Sequence, residues 1–179
     1  MRPTTVSPVS AVALLSLLAL AGPSVAEPRI HCEGEEENRD TYLQMHRVLF
    51  MERDTSRVAD FYAGEFISHN NDDGTGSGEM RVTPAEMAAF WDKSREFDPD
   101  RTLEDELILC VDDFVVVRTT LRSHFVFPMA GIEPTGEPYM YTATDIYRFE
   151  NGKVVERWGN NDLASAYRQL GFEITRGED

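Results

Sequence analysis

Apolar side chains recur at helical spacing in the first part of the chain. Tyr42, Met45 and Leu49 share one face of a predicted helix that follows Asn38. A second short helix is expected over residues 56–62, with a glycine at its end. The segment GEFISHNN then predicts a brief strand that enters a polar loop rich in glycine and aspartate.

The third helix has the clearest start signal. Thr83 and Glu86 form a capping box around Pro84, and proline is favoured at the first helical position. An apolar stripe follows, formed by Met87, Phe90, Trp91 and Phe97. We expect this stripe to pack into the core, although Trp91 or Phe90 could instead line a cavity from that face.

From residue 102 onward the apolar period changes to two, which predicts strands. In TLEDELILCV, the expected apolar face consists of Leu103, Leu107, Leu109 and Val111. In FVVVRTTLRSHFVF, one face carries Val115, Val117, Leu121, Phe125 and Phe127, and the other carries Arg118, Thr120, Arg122 and His124. Two further strands flank the turn Asn151-Gly152. Asp162 caps a last short helix that ends at Gly171.

Helices followed by antiparallel strands indicate an α+β fold. The simplest arrangement is a curved, mostly antiparallel sheet folded over the N-terminal helices. Such a concave sheet, closed on one side by helices, leaves a pocket between the two layers.

The strand YMYTATDIYRF places one carboxylate on an aromatic face. Alternation puts Tyr139, Tyr141, Ala143, Asp145, Tyr147 and Phe149 on the same side. Removal from water among aromatic rings would raise the pKa of Asp145, which prepares an acid for proton transfer near neutral pH. The alternative is an aspartate paired with a buried arginine or a tyrosine hydroxyl for structural reasons.

His69 is the second candidate for catalysis. It ends the strand EFISH beside Asn70, at the expected pocket mouth, and could form an acid/base pair with Asp145. A lone histidine at a strand end is more often a surface or capping residue, and for His69 both interpretations stay open. His124 falls on the polar face with two arginines and is therefore set aside as a catalytic candidate.

The side chains expected to bind substrate are Asn70, Trp91, Tyr141, Tyr147, Arg157 and Asn160.

The sequence contains no motif for nucleophilic catalysis, phosphate binding or metal binding. There is no nucleophile elbow and no glycine-rich phosphate loop. The four histidines, at positions 31, 46, 69 and 124, do not have metal-ligand spacing, and neither do the two cysteines. We therefore expect no metal and no organic cofactor.

The first 26 residues have the pattern of a cleaved secretory signal. Arg2 precedes the apolar run AVALLSLLALA, and small residues up to Ala26 offer a cleavage site. The run is too short to span roughly 30 Å of hydrocarbon as a helix. We expect a soluble, secreted or periplasmic chain that starts at Glu27, with an acidic lead-in over residues 27–39 and one domain over residues 40–179.

Charge and cysteine content limit the partners and the compartment. A formal net charge of −15 disfavours nucleic acid and anionic membrane surfaces as partners. Cys32 and Cys110 are the two cysteines, and export would place them where a disulfide can form. The sequence leaves open whether they form a bridge or remain two free thiols.

The segment GIEPTGEPYMYTATDIYRFENGKVVERW, followed by YRQLG, resembles the SnoaL-like polyketide cyclases and ester-cyclase-like proteins of the NTF2-like superfamily. The resemblance extends from Asp40 to Phe172 and also includes FISHN with the capped helix after it. It implies a cone-shaped α+β barrel with one deep pocket for an apolar small molecule. It also implies a homodimer formed through the outer face of the sheet.

The resemblance also implies which residues could act. Cyclases of this family carry out an intramolecular aldol reaction without a cofactor, and their acid/base aspartate corresponds to Gly159 here. Asp162 matches a second family aspartate, but its position makes it a helix cap first. Asp145 falls where the cyclases place another polar pocket residue and where ester-cyclase-like sequences carry aspartate.

Two classes of function fit these observations. The first is a cofactor-free acid/base enzyme of the isomerase, cyclase or hydratase type, with Asp145 as the acid or base and His69 as its partner. The second is a non-catalytic protein of the same fold. It would be either a small-molecule binder, as Gly159 and export suggest, or a dimerisation module with a filled cavity.

Overall fold

The protein is described by a computed structural model over residues 27–70, 78–128 and 132–173. The predicted signal segment, residues 1–26, lies outside these ranges. Most of the polar loop after β2 and the side chain of Asn70 also lie outside them.

The helices of the described chain lie mostly in its first half. Their bounds are Glu36–Met45 (α1), Val58–Phe61 (α2), Pro84–Phe97 (α3) and Leu163–Gln169 (α4). The first continues as a π-helical turn, His46–Met51, and a 3₁₀ turn, Thr55–Arg57, leads into α2.

The predicted caps are confirmed. The Thr83 hydroxyl accepts a hydrogen bond from the backbone N–H of Glu86, whose carboxylate accepts from the N–H of Thr83. Asp162 accepts from the backbone N–H of Ser165 at the start of α4. The first helix begins at Glu36, earlier than expected, because acidic side chains stabilise the first turn of a helix.

Seven strands form one sheet in the order β1-β4-β5-β6-β7-β2-β3. Their bounds are Arg29–His31 (β1), Tyr62–Asn70 (β2), Glu79–Val82 (β3), Thr102–Val111 (β4), Phe114–His124 (β5), Pro138–Glu150 (β6) and Lys153–Asn161 (β7). All neighbouring pairs are antiparallel except β1–β4 and β2–β7. The α+β prediction is therefore confirmed.

The core lies between the helices and one face of this sheet. Helix α1 contacts β5, its π-helical continuation contacts β4, and α3 contacts β2. Met45 and Val48 from the helical side pack with Val115, Val117 and Val154 from the strands, and all five are essentially inaccessible to water. The face predicted for the middle of β5 is thereby confirmed. The end of the predicted pattern, Phe127, lies beyond the strand and is exposed.

The face predicted for β4 is wrong beyond its middle. A register shift between Asp105 and Leu107 reverses the alternation, so that Ile108 and Cys110 are buried while Leu109 and Val111 are exposed. Asp105 precedes the shift, so it keeps the inward side of Leu103, as alternation predicts, and is buried. Strict alternation cannot anticipate this irregularity, because a bulge leaves no apolar signal of its own.

The apolar stripe of α3 is only partly core. Met87 is buried and Trp91 packs against the core, as expected. Phe90 is 57% exposed, however, and Phe97 lies at the surface against Phe127. The face of α3 is therefore shared between the core and a more open space beside it.

A disulfide joins the N-terminal segment to the sheet. Cys32 and Cys110 are bonded, with their Cα atoms 4.5 Å apart. The short strand β1 precedes Cys32 and pairs in parallel with β4. The acidic lead-in therefore includes a strand that the sequence did not predict, and the question left open about the cysteines is resolved in favour of a bridge.

No helix in the described ranges is both long enough and apolar enough to cross a bilayer.

Candidate functional site

A cavity of about 390 Å³ lies between the inner face of the sheet and the helices α1 and α3. Its apolar walls come from Phe50, Phe90, Trp91, Leu121, Tyr141 and Tyr147. Polar groups at its surface come from His46, Ser68, Arg101, Asp145, Arg157 and Asn161. The size and the mixture of an apolar lining with few polar groups are typical of small-molecule sites.

Strand β6 places its inward face along the cavity, as its alternation predicted. Tyr141, Ala143, Asp145 and Tyr147 all line it. The predicted binding residues Trp91 and Arg157 contribute from α3 and β7. The structure thus brings together most of the residues that the sequence nominated around Asp145.

Asp145 is paired with Arg157. The Arg157 Nη2 donates to Asp145 Oδ1 at 2.5 Å, and each side chain is 16% exposed. Burial alone would lower the pKa of Arg157, but the nearby charges of Asp145 and the tyrosine hydroxyls raise it overall. Arg157 also hydrogen bonds Tyr147, whose pKa is raised well above its usual value chiefly by burial. The cavity therefore contains a fixed carboxylate–guanidinium pair.

Strand register explains how this pair forms. Asp145 lies opposite Gly159, and Tyr147 lies opposite Arg157 in the antiparallel ladder of β6 and β7. Arg157 is thus the diagonal neighbour of Asp145, a separation that a long side chain can bridge. Gly159 presents no side chain that would displace the carboxylate.

A second polar cluster, which the sequence reasoning missed, lies where α1 packs against β4 and β5. The Tyr42 hydroxyl donates to Asp105 Oδ2 at 2.9 Å, and the Thr119 hydroxyl donates to Asp105 Oδ1 at 2.8 Å. Burial and the charge of Asp105 raise the pKa of Tyr42 well above its usual value. The signal that could have found it is Asp105 itself, an acid that strict alternation places on the same face as Leu103.

His46 borders this cluster and lines the cavity. Its Nδ1 lies 3.7 Å from Asp105 Oδ2, and its ring stacks on that of Tyr42. Burial lowers the pKa of His46, and the charge of Asp105 opposes this shift in part. His46 is held by the π-helical turn that continues α1, and such turns are frequent at functional sites.

The structure does not bring His69 to the cavity, which corrects the predicted pairing with Asp145. The His69 ring stacks on Trp158 with centroids 4.8 Å apart, and its Nε2 lies 2.8 Å from Glu156 Oε1. Its neighbour Ser68 lines the cavity, so alternation along β2 turns His69 to the outer face of the sheet. Arg157 takes the place expected for His69 beside the carboxylate.

The amide predictions also need correction. Asn161 lines the cavity, whereas the predicted Asn160 lies on the opposite side of β7, and both residues are exposed. The backbone of Asn70 pairs with Gly159 in β2, but its side chain lies outside the described part of the chain. Of the three asparagines at positions 70, 160 and 161, Asn161 is therefore the one that the described structure places at the cavity.

A second depression of about 450 Å³ lies where β5 ends and where β4 and β6 begin, around Arg122, His124 and Gln169. It combines side chains from both faces of β5 and β6, and Tyr139 is the one Phe, Tyr or Trp side chain among its described lining residues. His124 is there, bonded to Asp100, and does not line the cavity. Among the described residues, no group of three or more His, Cys, Asp or Glu side chains is arranged to hold a metal ion.

The same architecture recurs in solved structures. IdmH from Streptomyces antibioticus, a candidate polyketide cyclase, is 23% identical, with a TM-score of 0.66 over 75% of this chain and 99% of that chain. AclR from Streptomyces galilaeus, a candidate hydroxylase, is 24% identical, with a TM-score of 0.62 over 76% and 96%. A candidate polyketide cyclase from Acidithiobacillus ferrooxidans is 18% identical, with a TM-score of 0.66 over 75% and 94%.

These likenesses show that the chain has the NTF2-like α+β fold with a curved sheet. A family model for SnoaL-like polyketide cyclases matches residues 40–170, and the chain belongs to this family. The resemblance inferred from the β6–β7 segment is thereby confirmed. The comparison with curated proteins gave no match.

Proposed function

We propose that the protein binds an apolar small molecule in the Asp145 cavity and catalyses a cofactor-free proton transfer on it, of the isomerase, cyclase or hydratase type. One observation carries this proposal. One carboxylate among the described lining residues, held at 2.5 Å by Arg157, lies on the wall of a largely apolar and aromatic cavity of about 390 Å³. Membership of the SnoaL-like family favours the same chemical class.

In the proposed reaction Asp145 acts as the base. The bond between carbon and an acidic hydrogen of the substrate breaks, the proton moves to the Asp145 carboxylate, and the electron pair delocalises into the adjacent carbonyl as an enolate. Protonation of Asp145 releases Arg157 from its ion pair. The Arg157 guanidinium can then donate to the enolate oxygen, which is the type of charge stabilisation that lowers such barriers.

The position of Gly159 supports this role for Asp145. The resemblance gives the acid/base aspartate of cyclases to position 159, where this chain has no side chain. Asp145 is the residue directly opposite on β6. Side chains in such cross-strand positions emerge roughly 5 Å apart. A carboxylate on β6 would therefore act from nearly the same point of the cavity.

The rival proposal is a non-catalytic binder. It is favoured by the ion pair itself, because a buried arginine is the partner expected for a structural aspartate. In this case Asp145 and Arg157 would only stabilise the polar end of the cavity. A dimerisation module receives less support, since it requires a filled cavity.

Export and self-association are part of the proposal. The bridge between Cys32 and Cys110 supports an oxidising compartment, because such bonds persist mainly in exported proteins. We expect the secreted or periplasmic chain to begin near Glu27, which N-terminal sequencing of the exported protein would test. We also expect a homodimer through the outer sheet face, which sedimentation velocity would test.

The experiment for catalysis measures exchange of acidic hydrogens. A panel of aromatic ketones and cyclic 1,3-diketones is incubated with the protein in deuterium oxide, and deuterium incorporation is followed by NMR. Asp145→Asn should lower the enzyme-dependent rate by about 100-fold or more. Glu106→Gln, on the outer face beside Arg118, is the matched control and should leave the rate unchanged.

Two results would contradict catalysis by Asp145. A substrate exchanged equally fast by wild type and Asp145→Asn would exclude Asp145 as the base. Ligands that bind with no exchange above background across the panel would favour the binder.

A further inference from the structure

Arg101 is a cavity-lining cation that the proposed reaction does not use. Its side chain is 25% exposed, and its Nε is buried without a hydrogen-bond partner. The nearest carboxylate oxygen, Asp98 Oδ2, lies 3.8 Å from Nε, which is beyond hydrogen-bond distance. Within the described ranges the guanidinium of Arg101 makes no hydrogen bond.

Two other arginines, Arg53 and Arg95, lie near Arg101. Arg53 donates to the carbonyl oxygens of Pro99 and Arg101, at 2.7 and 2.5 Å. Burial, followed by the charges of Arg101 and Arg95, lowers the pKa of Arg53, so three cations influence one another here. Arg95 Nη2 is also buried and lacks a hydrogen-bond partner among the described residues.

The local aspartates do not satisfy these donors. The Asp98 Oδ1 accepts from Ser123, while its other oxygen stays 3.8 Å from Arg101. Asp100 is engaged by His124 and Ser123, and Asp92 lies 3.7 Å from Arg95. Buried charged donors without acceptors are costly, and in native proteins such groups point to a missing acceptor.

The place of Arg101 in the cavity is set by strand register. It precedes Leu103, which pairs with Leu121, and Leu121 pairs with Tyr141. The Asp145–Arg157 pair lies further along β6, towards Tyr147. From Tyr141 to Tyr147 is roughly 20 Å of extended chain. Arg101 therefore marks the end of the cavity opposite Arg157, with Phe90 and Trp91 lining the same cavity.

We propose that the ligand of this cavity is an amphiphilic organic anion, whose carboxylate or sulfonate-like group pairs with Arg101 while its apolar body extends toward Asp145. This rests on the proposed small-molecule site and adds the chemical class of its ligand. A protein with a net charge of −15 repels anions in general. A local cluster of arginines, in which Arg101 Nε and Arg95 Nη2 lack hydrogen-bond acceptors among the described residues, would overcome that repulsion at one point only.

The test uses two probes that differ by a single anionic group. The first, 8-anilinonaphthalene-1-sulfonate, is the second, N-phenyl-1-naphthylamine, with a sulfonate added. Arg101→Gln keeps a polar side chain but shortens it and removes its charge. Fluorescence titration should show about tenfold or greater loss of affinity for the sulfonate probe and less than about twofold change for the neutral probe.

Two further variants serve as controls. Arg118→Gln removes a cation from the outer face, where Arg118 pairs with Glu106, and should alter neither affinity. Arg101→Lys keeps the charge and should retain most of the sulfonate affinity. Binding of the neutral probe by each variant reports that the cavity is still folded.

The outcomes separate this inference from the function on which it rests. If Arg101→Gln weakens both probes equally, or neither, the anion site is overturned while the apolar cavity stands. If Arg101→Lys loses the sulfonate probe as completely as Arg101→Gln, charge is not the cause and the proposal also fails. If the wild type binds neither probe, both the anion site and the small-molecule cavity are overturned.

Discussion

At the scale of single residues, the ion pair of Asp145 and Arg157 sets the charge balance of the cavity. The pair is mostly shielded from water, so each charge depends on the other for compensation. Removing one partner from such a pair leaves an uncompensated charge, whereas removing both can be nearly neutral. The two alternatives kept for Asp145, a catalytic base and a structural aspartate, share this dependence.

The first prediction at this scale is a double-mutant cycle. Arg157→Leu should lower the free energy of unfolding by roughly 3 kcal/mol, because it leaves Asp145 unpaired in the cavity. Asp145→Asn combined with Arg157→Leu should recover more than half of that loss. Urea denaturation of the wild type, both single variants and the double variant would measure the coupling, and purely additive losses would contradict it.

The second prediction concerns His46 and pH. Burial lowers its pKa below the unfolded value of about 6.5, against the opposing charge of Asp105. The unfolded chain therefore takes up the proton first, so the free energy of unfolding should fall as pH drops below about 6.5. Tyr42, whose pKa is raised, stays neutral in this range. His46→Gln should show a smaller loss of urea midpoint between pH 7 and pH 5.5.

An equal loss in the wild type and in His46→Gln would assign the pH dependence to other groups. His69, on the outer face beside Glu156, provides the matched control as His69→Gln. Because His69 lies outside the cavity, its substitution should leave the contribution of His46 intact.

At the scale of elements, β1 depends on a covalent link. It contains three residues, all exposed, and pairs with only one strand. The bridge at the next residue, Cys32, attaches it to β4 across a sequence separation of 78. A strand this short has little stability of its own, so the disulfide is expected to hold it in place.

Removing this bridge is the third prediction. Cys32→Ala with Cys110→Ala should lower the free energy of unfolding by about 3 kcal/mol, since a cross-link over a long loop restricts the unfolded chain. Amide hydrogens of Arg29–His31 should exchange much faster than those of β5 in the same variant. Unchanged protection of β1 would show that strand pairing alone holds the segment.

Periodic elements were predictable, and irregular ones were not. The face of β6 follows from alternation over thirteen residues, and α3 and α4 follow from their caps. In contrast, β4 carries a bulge that turns Ile108 and Cys110 inward, and β1 has no pattern to detect because it is so short. His69 was misplaced for a related reason, since an isolated histidine gives no face unless its strand's neighbours, here Phe66 and Ser68, are known to be buried.

At the scale of the whole molecule, the charged side chains of the outer sheet face differ from those of the cavity in how they are paired. The chain has 32 acidic and 17 basic residues, and many of the basic side chains pair on the outer sheet face, as Arg118, Arg122 and Arg148 do. Such cross-strand pairs are exposed or half-buried and contribute little individually. The cavity, by contrast, contains one compensated pair and one arginine without a hydrogen-bond acceptor in the described chain.

The excess of acidic residues predicts how stability responds to salt. Raising NaCl from about 0.01 M to about 0.15 M shortens the Debye length from roughly 30 Å to roughly 8 Å, which screens repulsion across the molecule. A net charge of −15 makes this repulsion outweigh the attraction of exposed ion pairs. We expect the melting temperature to rise by roughly 2–4 °C, the shift that about 1 kcal/mol produces in a domain of this size.

The source of that increase can be separated from general salt effects by repeating the experiment at a pH where the net charge approaches zero. Long-range repulsion is then weak, so the same addition of NaCl should raise the melting temperature much less, or lower it by weakening the outer-face ion pairs. An equal rise at both pH values would show that salt acts through hydration and not through charge. A fall at neutral pH would mean that the ion pairs between strands stabilise the fold more than acidic repulsion destabilises it.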